Sequence, residues 1–194
     1  MYDPEQSELL DRLKLIEHMM VEGRRTTERW GWMFLLWGAG PLLGMWWESR
    51  GPRPELAWPV VTLLCMVVNG VAVRARRRRG TARSTVGAAI SAVWGSAGAA
   101  MLVLALAAAW SGMLDLRALY ILFFALAAVA FTASSIILRW GPQFAAALVW
   151  WAATLAAFVL PTRQLSLVAA GALLLGSVTF GAWLTYREWK YADE

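Results

Sequence analysis

Apolar and polar positions alternate along this chain in two periods. Over the first 23 residues the apolar positions recur every three or four residues: Leu9, Leu13, Ile16 and Met20, widened by Leu10 and Met19. Charged and polar side chains fill much of the remainder, and Asp3-Pro4-Glu5-Gln6 supplies a helix start. That pattern predicts an amphipathic helix in a segment spanning 1–29. After it the period is lost. Long apolar stretches take over, each near the length of about 20 residues that crosses a hydrocarbon core. They predict six spans, at about 30–47, 56–73, 86–110, 118–138, 144–160 and 165–186, followed by a tail over 187–194. The expected fold is all-α: a polytopic six-helix transmembrane bundle with an N-terminal amphipathic helix on the cytoplasmic side.

The breaks between spans are short and carry Gly, Pro or charge. The first span is flanked by Trp30, Trp32, Trp46 and Trp47, rings that favour the membrane interface. Pro41 lies inside it and cannot donate to the carbonyl of Trp37, so a kink is expected there. The third span carries Gly87, Ser91, Gly95 and Ala99 at steps of four, a ridge of small residues that lets another backbone come close. Pro161 ends the fifth span.

Composition agrees with this reading. The chain of 194 residues is 59% hydrophobic with 13 Trp, more apolar surface than a soluble domain of that size could bury. The polar start, Met1 to Glu8, lacks an apolar signal core, so the first span is expected to insert the chain without cleavage. Arg74, Arg76, Arg77, Arg78, Arg79 and Arg83 form a dense basic loop between the second and third spans. Cationic loops stay cytoplasmic, and fixing this one inside puts both termini inside as well. Only Arg50, Arg53, Arg117 and Arg163 then lie outside. The net charge of +5 is therefore read as a contact with anionic lipid headgroups, not with nucleic acid. Arg in place of Lys, with much Ala and Gly, points to a bacterial inner membrane.

Candidate chemistry is sparse. A single cysteine, Cys65, excludes an intrachain disulfide, and a single histidine, His18, excludes a His-based metal cluster. No Asp, Glu, Lys, Arg or His falls within the six expected spans, which argues against a proton relay. No phosphate loop, nucleophile elbow or HExxH motif is present, so no catalytic residue, cofactor or metal is expected. Trp37, Trp94 and Trp151 recur at equal intervals, each followed by small residues. Together with Pro41 and Asn69 they could wall a ligand cavity. Chance spacing in a Trp-rich chain is the alternative. Asn69 could equally bond across helices.

Met19-Met20, then Arg24-Arg25-Thr26, then Leu36-Trp37-Gly38 resemble the N-terminal part of a broad group of small uncharacterised bacterial membrane proteins. Such proteins are often encoded beside winged-helix regulators, so the resemblance implies a regulatory role. The expected function is a non-enzymatic inner-membrane protein that forms a homo-oligomer or docks a cytoplasmic regulatory protein through Leu9, Leu13, Ile16 and Met20. The alternative is a small permease or channel whose Trp-lined cavity takes an apolar or cationic solute.

Overall fold

A computed structural model describes residues 8, 12–14, 31–53, 56–78, 85–111 and 115–190. All regular structure among these residues is helical. The elements are α1 (Gly31–Arg50), α2 (Ala57–Arg78), α3 (Thr85–Ser111), α4 (Leu116–Leu138), α5 (Gly141–Val159), α6 (Leu165–Ala172), a π-helical segment (Leu173–Val178) and α7 (Thr179–Lys190). Five stretches are long and apolar enough to cross a membrane: α2, α3, α4, α5, and the continuous run from Thr162 through α7. α1 has the length but not the apolarity, because Gly, Pro and Trp replace aliphatic residues along it.

Local chemistry explains the boundaries. Asp115 caps α4, its carboxylate accepting from the Ala118 N–H at 2.6 Å. At the other end of α4, Arg139 takes the left-handed conformation (φ 48°). The Trp140 N–H then reaches the Ser135 carbonyl at 2.9 Å, closing a tight reversal. Pro142 starts α5 in the first turn, where a missing N–H does no harm. This short joint lays α4 and α5 antiparallel and in contact along most of their length.

α1 runs unbroken through Pro41 and lies between α2 and the last helix. One side packs on α2 and the other on the π segment and α7. Glycines make both contacts possible. A Cβ on Gly40 would meet the Cys65 sulfur, and one on Gly44 would touch the Trp58 ring at 3.5 Å. On the other side, a Cβ on Gly38 would lie 2.8 Å from Val178, and one on Gly181 would lie 2.8 Å from the backbone of α1 at Gly31 and Leu35. The core beneath is aromatic. Phe34, Trp94, Phe131 and Phe180, from α1, α3, α4 and α7, meet largely edge to face at 4.9–6.0 Å.

Several expected boundaries change. α2 continues through Arg74 to Arg78, so much of the expected basic loop is helix: Arg is a good helix former, and cations suit a helix C-terminus. Arg79 and Arg83 lie outside the described residues. α4 starts at Leu116 and takes in Arg117, so this residue is helical and not part of the preceding turn. α7 continues to Lys190, absorbing half of the expected tail. Of the amphipathic segment, Glu8 and residues 12–14 are helical, with Arg12 paired to Glu8 one turn away at 2.6 Å. Leu13 there is exposed; Leu9, Ile16 and Met20 lie outside the described residues.

Candidate functional site

Five stretches of this length and apolarity could span a bilayer, so their uncovered faces are either lipid-facing or available to another protein. The helices differ sharply in how much the bundle covers them. Of the apolar stretch of α4, 44% is buried; of α3, only 6%. α3 rests on α4 and the core through Val86, Ile90, Trp94 and Met101. The ridge of small residues lies beside that contact and not in it. Ser91, Gly95 and Ala99 are exposed, and nothing comes within 4 Å of a Cβ built on Gly95 or Gly98. Gly87, at the head of the ridge, is half-buried and accepts through its carbonyl from the Ser91 hydroxyl at 2.8 Å. Gly38, Gly40 and Gly44 of α1 are filled by neighbours; Gly95 and Gly98 of α3 are not.

The structure gives the residues expected to share an aromatic cavity different surroundings. Trp94 packs in the core against Phe34 and Phe131. Trp151 is 38% exposed on the far side of α5 and donates to the Thr132 hydroxyl at 3.1 Å. Trp37 is half-buried on α1 beside Gly38, and Pro41 follows one turn later. Among the ring contacts of the described residues, none joins two of these three indoles. The core indole on α5 is Trp150, in contact with Phe124 and Phe131, with its N–H edge against Gly176 of the π segment. Asn69 continues the face of α2 that carries Ala57, Val61 and Cys65, and its side-chain oxygen is buried without a protein donor.

Sequence reasoning missed three features. Arg117 reaches from the first turn of α4 to the end of α5, donating to the carbonyls of Ala157 (3.0 Å), Phe158 (3.3 Å) and Leu160 (2.8 Å) and to the Thr162 hydroxyl (3.2 Å). Gln143 is fully buried at the start of α5 with neither polar atom bonded to protein. The last helix carries a π segment, closed by Thr179, whose N–H and hydroxyl both reach the Leu174 carbonyl. It stands where α1 presses through Gly38 and α5 through Trp150. Periodicity gives no signal for a π turn in an all-apolar helix. No protein-family model, curated protein or solved structure matches this chain.

Proposed function

We propose that this chain is a non-enzymatic multi-pass protein of a bacterial inner membrane, and that it works as a homo-oligomer joined through the small-residue face of α3. α1 is read as a sixth span, since it lies between α2 and α7 and, at 20 residues, is close in length to the 22 of α2. With both termini cytoplasmic, the basic end of α2, where Arg74 is exposed, meets anionic headgroups. The N-terminal segment is then free to dock a cytoplasmic regulatory partner.

The observation that carries this reading is the uncovered ridge of α3. Helices in lipid gain little from hydrophobicity when they pair, because lipid tails are as apolar as leucine. They pair where small side chains let backbones touch and van der Waals contact is dense. The same device, filled, builds the α1 contacts inside the chain. A permease or channel is less well supported, since the rings at the centre of the bundle pack directly on one another.

The test is the molecular mass of the purified chain in detergent or nanodiscs, measured for the parent and for Gly95→Leu. The parent should be oligomeric. Leucine at this position should weaken association by about 1–3 kcal/mol, the usual range for overpacking a close contact. The melting temperature of the monomer should not fall, because Gly95 touches nothing within its own chain. A monomeric parent would refute the proposal.

A further inference from the structure

At the end of the bundle opposite the basic stretch, a cavity of about 400 Å³ opens between the end of α1, the start of α4 and α6. Its lining includes Trp46, Glu48 and Ser49 from α1, Tyr120 from α4, and Ser166 and Leu167 from α6. Met45 and Ala170 complete it, so five of the eight lining residues are apolar or aromatic and one is a carboxylate. Among the described residues no cation pairs with Glu48, although Arg50 and Arg53 follow closely in sequence.

Glu48 is also held in place. One of its oxygens accepts from the Trp58 indole N–H at 2.9 Å. The Trp58 ring in turn lies over Gly44, so α2 fixes the carboxylate from behind. Tyr120 is steadied by Phe124, with ring centroids 5.6 Å apart. The second carboxylate oxygen keeps its acceptor capacity. The site therefore offers a fixed negative charge, two aromatic side chains and apolar surface around one open hollow, in which Trp46, Glu48, Ser49, Ser166 and Leu167 are exposed.

We propose that this cavity binds a small quaternary ammonium cation, with Glu48 as its counter-ion and Trp46 and Tyr120 as ring walls. Ring faces attract such a cation, and its methyl groups suit the apolar remainder of the lining. A divalent metal fits poorly, because hard cations require six or more oxygen ligands and the lining supplies one carboxylate. A primary ammonium is more strongly hydrated, and a lining that is mostly apolar or aromatic, with one carboxylate and two serine hydroxyls, replaces that water only in part. An anion would be repelled by Glu48.

The test is calorimetric titration of the full chain in detergent at constant ionic strength. Choline chloride is the probe, and dimethylbutanol is its uncharged carbon isostere. Choline should bind the parent saturably, and the isostere should bind about tenfold more weakly or worse, because the charge contact is lost. Glu48→Gln should weaken choline by about the same factor, since its amide oxygen can still accept from Trp58 while the charge is gone. Ser166→Leu adds bulk to the cavity from α6, a different element from those that carry Glu48 and Trp58, and should abolish binding. Absence of saturable heat from the parent overturns the proposal. So does equal binding of the isostere, or unchanged binding in either variant at parental helical content. If Glu48→Gln fails to fold, the isostere and Ser166→Leu decide.

Discussion

Gly181→Ala is expected to lower the melting temperature of the purified chain in detergent, and Gly181→Leu to prevent the native bundle from forming. A Cβ at this position would lie 2.8 Å from the Gly31 carbonyl oxygen, 2.8 Å from the Leu35 nitrogen and 3.0 Å from the Phe34 Cβ. Two of these atoms are backbone, so no rotamer change relieves the clash. α1 and α7 must move apart, and the movement reaches Phe34 and Phe180, whose rings meet at 5.1 Å in the core. Overpacking of this kind costs about 1–3 kcal/mol for a single added carbon, and more for a branched side chain. The control is Gly171→Ala on α6. Nothing lies within 4 Å of its Cβ, so the substitution should be neutral or raise stability by about 0.5–1 kcal/mol through helix propensity. A Gly181→Ala protein that melts at or above the parent temperature would show that α1 and α7 are not in contact.

Arg117→Ala should have the next largest effect. The last carbonyls of a helix lack intrahelical donors, and the guanidinium of Arg117 supplies them to α5 from the neighbouring helix. It also places a positive charge at the negative end of the helix dipole. The contacts at Ala157 and Leu160 are partly buried, so loss of these charged hydrogen bonds should cost about 1.5–3 kcal/mol. Arg117→Lys should recover only part, because an ammonium cannot span several acceptors as a planar fork does. Beyond melting, the measurement is tryptic cleavage at Arg163, just past the clamped carbonyls. Cleavage should quicken in the alanine variant. Unchanged melting and unchanged cleavage would assign Arg117 to solvent.

How much of this was legible in the sequence follows from what lipid does to patterning. Five apolar stretches announce themselves by length and by the Gly, Pro and charge between them, and their helices lie close to the expected positions. Which face of a span turns inward was not. Inside a membrane both faces are apolar, and periodicity falls silent. Trp150 and Trp151 are neighbours of the same type, yet one is core and the other bonds Thr132 at the surface. Gly38, Gly40 and Gly95 look alike in the sequence, but the first two are filled by α7-side and α2 atoms and the third is open. The regular spacing of Trp37, Trp94 and Trp151 carried no shared environment for the same reason. Arg117 was misplaced because a single basic residue beside a turn reads as solvated, and its partners lie some forty positions later in the chain.

The association surface can be probed in native membranes. Cys65 is the sole cysteine, so a Cys65→Ala background leaves no thiol, and a single cysteine at Gly95 reports only contact between copies. A disulfide forms only when the two Cα atoms approach to about 4.4–6.8 Å. Under mild oxidation Gly95→Cys should yield a covalent dimer on a denaturing gel. Leu155→Cys, on the exposed face of α5, should remain monomeric. A Gly95→Cys chain that stays monomeric, or that cross-links no better than Leu155→Cys, would contradict association through α3.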